Sequence, residues 1–82
     1  MLELLETGPK LVGIKQSKRA LEKGLVKIAY IARDADMHVV FPFEKVCKDL
    51  GVEICYADTM KELAKACKVD VNTAVAVILK NN

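Results

Sequence analysis

The run Leu25-Val26-Lys27-Ile28-Ala29-Tyr30-Ile31-Ala32 decides how this chain folds. It is rich in Val, Ile, Tyr and Ala, and Lys27 carries its only charge. A strand with one wet face alternates apolar and polar residues, whereas a near-continuous apolar run marks a strand buried on both faces. Both faces must then be covered, so helices are expected on the two sides of a sheet.

Reading upstream from that run, Gly24 ends a helix expected over Lys15 to Lys23, with Lys23 placed to complement the helix dipole. Ile14, Ala20 and Leu21 are the candidates for its buried stripe. Gly13 separates this helix from a short strand, Lys10-Leu11-Val12. Before it, Gly8-Pro9 stops a short helix, Met1 to Thr7, that lays its leucines on the body.

Downstream, Arg33-Asp34-Ala35-Asp36 is a polar loop. Val39, Val40, Phe43, Val46, Cys47 and Leu50 then recur at helical spacing up to Gly51. Proline is tolerated in the first turn of a helix, so the regular helix is expected to begin near Pro42. Val52 to Tyr56 reads as the next strand. Asp58 or Thr59 is the expected N-cap of the next helix, Thr59 followed by Glu62 fitting a capping box, and its Leu63, Ala64, Ala66 and Cys67 face inward. Lys68 to Asn72 is a loop, Thr73 to Leu79 the last strand, and Lys80 to Asn82 a tail. The alternation predicts an α/β protein, a three-layer α/β/α sandwich around a four-stranded mixed sheet, as a single domain over residues 1–82.

The totals set bounds on function. With 82 residues, 52% apolar but only 5% aromatic, the core must come from Val, Ile, Leu and Ala. No apolar run approaches a membrane span and no signal-peptide pattern opens the chain, so a soluble, cytoplasmic protein without membrane contact is expected. Three cysteines, Cys47, Cys55 and Cys67, have no zinc or redox spacing and are expected as buried thiols.

Net charge is only +2, but its distribution is uneven. From Gly8 to Lys27 there are six bases (Lys10, Lys15, Lys18, Arg19, Lys23, Lys27) against one acid, Glu22; from Arg33 to Glu62, seven acids face four bases. A basic end favours an anionic partner at the first long helix.

Catalysis finds no support in the residues. Ser17 lies among lysines, and the single histidine, His38, has no partner at a recognisable spacing and reads as a surface residue at a helix start. Asp34 and Asp36 lack further oxygen ligands nearby for a metal, and no glycine-rich phosphate loop exists. No enzyme, cofactor or metal is expected.

Binding fares better. Glycine at a strand-to-helix junction permits close backbone approach, and helix N-terminal amides attract phosphate. Lys15 and Arg19 share a helix face at i, i+4, and Lys, Arg and Gln all suit base edges. Val69 and Val71 offer apolar surface to an unstacked base, or else are core at the helix–strand junction.

Three blocks carry a resemblance: Gly13-Ile14-Lys15-Gln16-Ser17-Lys18-Arg19, Ala29-Tyr30-Ile31-Ala32-Arg33-Asp34-Ala35-Asp36, and Leu63-Ala64-Lys65-Ala66-Cys67-Lys68-Val69-Asp70-Val71. In order and spacing they resemble the kink-turn RNA-binding ribosomal-protein superfamily of the L-seven-Ae and L-thirty-e type. Small bacterial members of the YbxF kind are most similar in length and in the Gly-x-Lys-Gln form of the first block. The resemblance implies a sandwich that binds RNA without chemistry, its helix after the glycine entering a widened major groove at tandem sheared G·A pairs. Other members carry Asn-Glu where Lys15-Gln16 stand, and lysine where Arg19 stands.

By that mapping Lys15 and Gln16 face the guanine edges and Arg19 bonds a guanine or a phosphate, with Gly13 and Ile14 of the same block also among the RNA-binding residues. The Asp36 carboxylate meets the extruded nucleotide, with Val40 as an apolar neighbour, and Val69, Asp70, Val71 and Asn72 match the loop that packs over the bulge. The chain departs from the pattern in places. Lys68 replaces a common glycine, so that the loop is expected to start differently, and Asn72 replaces another, asparagine tolerating left-handed backbone. Asp36 is shorter than the glutamate of some relatives, and Met37-His38 replace a usual proline.

The expected partner is structured RNA, a kink-turn in ribosomal RNA or a messenger-RNA leader, bound by a monomer within a ribosome or other ribonucleoprotein setting. The alternatives are a protein-interaction module using the acidic side (Asp34, Asp36, Glu44, Asp49) without RNA, and a small-ligand or enzymatic domain.

Overall fold

The computed structural model describes residues 3–80. Its elements are α1 (Glu3–Thr7), β1 (Lys10–Val12), α2 (Ile14–Glu22), β2 (Val26–Ala32), α3 (Met37–Asp49), β3 (Glu53–Ala57), α4 (Met60–Cys67) and β4 (Val75–Leu79). The strands form one sheet in the order β1-β4-β2-β3, with β2 and β3 parallel and β4 antiparallel to both β1 and β2. Helix α2 packs on α3, and α1 on α4, so that one pair covers each face of the sheet. This is the expected three-layer sandwich.

Strand β2 occupies the centre as its composition requires. Every residue from Ile28 to Ala32 is buried, and Tyr30 and Ile31 are fully enclosed. The charge at Lys27 is accommodated by an irregularity: Val26 pairs with Leu79 and Ile28 with Ile78, leaving Lys27 as an exposed extra residue at the strand's start. Leu25, expected inside the strand, lies just before it and is exposed.

The helix ends share one device. After α2, Gly24 N donates to Leu21 O and Leu25 N to Ala20 O (both 3.0 Å). Gly51 and Val52 repeat the pattern after α3, bonding Lys48 O at 3.2 Å and Cys47 O at 2.9 Å. After α4 the same paired bonds run from Lys68 N to Lys65 O and Val69 N to Ala64 O (both 3.1 Å). These are Schellman caps, which need a left-handed residue just past the helix. Gly24 and Gly51 supply it freely, whereas Lys68 adopts φ 61°, ψ 41°. The loop after α4 therefore starts with the backbone a glycine would give, correcting the expectation that Lys68 changes it. Asn72 does not take the left-handed conformation, since Lys68 alone among the described non-glycine residues has positive φ.

Helix α3 departs most from expectation. It begins at Met37, not near Pro42, and Pro42 lies inside it on an exposed position. The start is dictated by Asp36, whose Oδ1 accepts from His38 N at 2.8 Å while its carbonyl receives Val39 N and Val40 N, both at 3.0 Å. An N-cap of this kind contributes ~1 kcal/mol. It starts the helix a full turn before the proline, which stands at an exposed position and contributes no donor to the ladder.

Smaller corrections concern boundaries. β3 runs one residue later than expected and β4 begins at Val75 instead of Thr73. Of the leucines given to α1, Leu5 is fully buried, Leu4 is exposed, and Leu2 lies outside the described residues, as do Asn81 and Asn82 of the tail. Thr59 caps α4 as expected, its Oγ1 accepting from Glu62 N at 3.0 Å. All three cysteines are buried thiols. Burial raises each of them, Cys47 to about 11 with the nearby Glu44 carboxylate adding to the effect.

Candidate nucleic-acid interface

Hydrogen bonds tie the first two blocks singled out in the sequence to residues 73–75, directly after the third, and to the start of α4. Gly13 N donates to Val75 O at 3.0 Å, tying the start of α2 to the start of β4. Ala32 N donates to Ala74 O at 2.9 Å, and Arg33 N to Ala57 O at 2.8 Å, so the loop after β2 is fixed to both neighbouring strands. Asp34 Oδ1 accepts from Met60 N at 2.7 Å, and Thr73 N reaches Met60 O at 3.4 Å. The N-terminus of α2, the 33–36 loop and the 68–74 segment therefore meet at one end of the sheet.

Helix α2 opens with its amides exposed to any anion at that end. Gly13 sits at φ 99°, ψ 156°, a region reserved for glycine, and provides no side-chain cap. The first helical bond is Ser17 N to Gly13 O at 3.0 Å, so the amides of Ile14, Lys15 and Gln16 precede it. The first turn contains no acid to neutralise that end. A Cβ built on Gly13 would meet nothing within 4 Å, so the space above the turn is open.

Lys15, Gln16, Lys18 and Arg19 are all exposed on the first turns of α2. Among the described residues no ion pair or side-chain hydrogen bond engages Lys15, Gln16 or Arg19. Gln16, Arg19 and Lys23 also line a depression of about 300 Å³ floored by Leu11, Ala20 and Leu25. Long donors standing over an apolar floor suit the polyanionic edge of a nucleic-acid groove. Ile14 is half-buried and packs against the core at the edge of this surface.

Asp36 and Val40 lie one turn apart at the start of α3. Asp36 is exposed, with Oδ1 occupied by its own helix, while Val40 is 8% exposed and belongs to the core. Asp34 and Asp36 each spend an oxygen on a backbone amide, which accounts for both acids structurally. The two valines of the last loop separate cleanly. Val69 packs on the core, whereas Val71 is 71% exposed at the same end as α2's first turn. Asp70 and Asn72 are exposed beside it.

One buried polar residue escaped the sequence reading. Ser17 is fully enclosed in α2, and its Oγ has no hydrogen-bond partner. Its spacing from Ile14 and Leu21, at i+3 and i−4, places it on the inner stripe. Its polar neighbours Gln16 and Lys18 concealed that signal.

Fold and edge together define a class: an α/β/α scaffold that presents a helix N-terminus, a basic helix face and two anchored loops at one end of its sheet. The chain belongs to the ribosomal protein L7Ae/L30e/S12e/Gadd45 family, whose model matches residues 3–82. It is 43% identical over 67 residues, 82% of each chain, to "RNA-binding protein TTE2299" of Caldanaerobacter subterraneus subsp. tengcongensis. It is 33% identical over 78 residues, 95% of each chain, to "RNA-binding protein YbxF" of Geobacillus stearothermophilus. Among solved structures it is similar to the Giardia lamblia 15.5kD RNA binding protein, with TM-score 0.90 and 29% identity over 99% of this chain and 72% of that one.

Proposed function

We propose that this protein is a non-enzymatic RNA-binding protein that recognises kink-turn RNA. The observation that carries the reading is the convergence of three separated blocks at one end of the sheet, with Lys15, Gln16 and Arg19 exposed and uncommitted there. Family membership and relatives named as RNA-binding proteins support it.

In this reading the uncapped amides of α2 and the open space above Gly13 admit the backbone of a kinked duplex. Lys15 and Gln16 meet the edges of sheared G·A pairs, and Arg19 anchors a guanine or phosphate. Asp36 and Val40 receive the extruded nucleotide. Val71, at the tip of the loop formed with Val69, Asp70 and Asn72, covers the bulge. Lys68 adds a cation near that loop. The protein acts as a monomer in the cytoplasm, on ribosomal RNA or a messenger-RNA leader, alone or within a ribonucleoprotein.

The test is a gel shift comparing a kink-turn RNA with the same RNA carrying disrupted G·A pairs. Each bidentate base contact is worth ~1–3 kcal/mol. Loss of the pairs should therefore weaken binding about thirtyfold or more. Equal affinity for the two RNAs refutes kink-turn recognition and leaves only general RNA binding.

A further inference from the structure

The C-terminal half of α2 carries a feature that base reading at its first turn leaves unused. Gln16, Arg19, Ala20 and Lys23 have the i, i+3, i+4, i+7 spacing of one helix stripe, and together they wall the depression of about 300 Å³. Its floor is Leu11 of β1, Leu79 of β4 and Leu25, which is 47% exposed. Among the described residues its charged lining is Arg19 and Lys23 alone, and neither takes part in an ion pair.

The charged neighbours in sequence do not cancel that pair. Glu22 and Lys80 line a separate depression beyond Gly24, and Lys10 acts on the Cys67 thiol, on the α4 side of the sheet. Lys15 and Lys18 only add positive charge to the helix. Other described depressions mix signs: Arg33 with Glu44 in one, Lys65 with Glu6 and Glu62 in another.

Two unpaired cations over an apolar floor fit a sugar–phosphate strand, with phosphates on the cations and ribose faces on the leucines. No aromatic side chain lines the groove, so an unstacked base has no platform to rest on here. The groove shares Gln16 and Arg19 with the surface proposed to meet RNA, which makes it a continuation of that surface. From residue 16 to residue 23 the helix rises about 10 Å. Each strand of a duplex carries one charge per about 3.4 Å of its axis, so this length spans about three phosphates.

We propose, resting on the kink-turn reading, that the stem leaving the G·A pairs lies along α2 toward Lys23, with about three phosphates of one strand in this groove. Arg19 and Lys23 each take a phosphate, and Leu11 and Leu25 support the riboses between them. Lys23 is then an anchor indifferent to sequence, and the RNA must stay paired for about three nucleotides past the G·A pairs on this side.

The experiment uses the full chain with a kink-turn RNA and the same RNA carrying disrupted G·A pairs, read by fluorescence anisotropy over a range of salt. Lys23→Gln should weaken kink-turn binding about three- to tenfold and lower the salt slope by about one, while keeping the parent's preference for intact G·A pairs. Leu25→Glu should weaken binding further by setting a carboxylate against the strand. Neutral methylphosphonates, placed singly on each strand of the stem beside the G·A pairs, should weaken binding to the parent at successive positions. At least one of these should lose its effect in Lys23→Gln.

Unchanged affinity and salt slope in Lys23→Gln overturns the proposal, as does a methylphosphonate pattern identical in parent and variant. If the parent still prefers intact G·A pairs, kink-turn recognition stands and only the path of the stem is refuted. If the parent shows no preference, the reading beneath it falls and the proposal falls with it. An acidic synthetic peptide that shifts the Lys23 and Leu25 amides while RNA stays bound gives the groove to a protein and likewise overturns it.

Discussion

Replacing Ser17 by alanine should make this protein more stable. The side chain is fully enclosed on the inner face of α2, and its hydroxyl has no partner. A buried polar group left unsatisfied costs ~1–3 kcal/mol. Alanine also exceeds serine in helix propensity by about 0.5 kcal/mol. Against this, removing one oxygen forfeits a handful of dispersion contacts, each ~0.1–0.2 kcal/mol. The net expectation is a gain of about 1–2 kcal/mol, which for a domain of this length raises Tm by about 5–15 °C. Urea unfolding should show a higher midpoint at an unchanged slope, the signature of added stability without a change in exposed surface. Ser17→Thr keeps the hydroxyl and forces a methyl into the enclosed site, so it should destabilise. A Tm for Ser17→Ala at or below that of the parent would refute the reasoning, because it would mean that the hydroxyl is bonded in solution.

Other perturbations test other parts of the account. Gly13→Ala meets no steric obstacle, yet should cost ~1–3 kcal/mol through its φ of 99° alone, read as a lowered Tm. Lys68→Gly should relieve ~1 kcal/mol of left-handed strain, partly offset by the extra freedom of glycine in the unfolded chain, and so raise the unfolding midpoint modestly while weakening RNA binding on the proposed reading. Lys15→Ala combined with Arg19→Ala should leave circular dichroism unchanged, weaken kink-turn binding strongly and flatten its salt dependence by about one to two units of slope; an unaltered affinity removes α2 from the interface. The Cys47 thiol is raised from 9.0 to about 11, so the unfolded chain ionises first as pH rises. Folding stability should accordingly fall between about pH 9 and 11 through this group, and Cys47→Ala should lessen that slope in pH-dependent urea titrations.

The layered fold was legible because its strongest signal, the charge-poor run ending at Ala32, has one economical solution: a central strand with helices on both faces. The glycine stops at Gly24 and Gly51 were legible for a similar reason, since each lies just past the last periodic residue of its helix. The start of α3 was not. Proline dominates a local reading, while the cap at Asp36 depends on one carboxylate turning back onto its own helix. Ser17 was hidden by charged neighbours that point the opposite way. Of the candidate site, the residue types at the start of α2 could be read directly. What a linear pattern could not convey was that Val69 faces inward and Val71 outward, or that Asp34 and Asp36 hold loops together. Nor could it show that Val39 and Leu50 stand exposed, because the periodicity of α3 assigns apolar residues to the core unless both of its flanks are known to be covered.

The main-chain bonds that fasten Gly13, Ala32, Arg33 and Thr73 to neighbouring segments have a thermodynamic consequence for the proposed interaction. A surface fixed before its partner arrives loses little conformational freedom on association. The ordering cost of the complex then falls on the RNA, which must adopt its bend to fit a mould that does not yield. On this view affinity should follow how readily a given RNA bends by itself: magnesium or flanking sequence that pre-forms the kink should tighten binding, with the protein's own amide exchange rates at this end of the sheet almost the same free and bound.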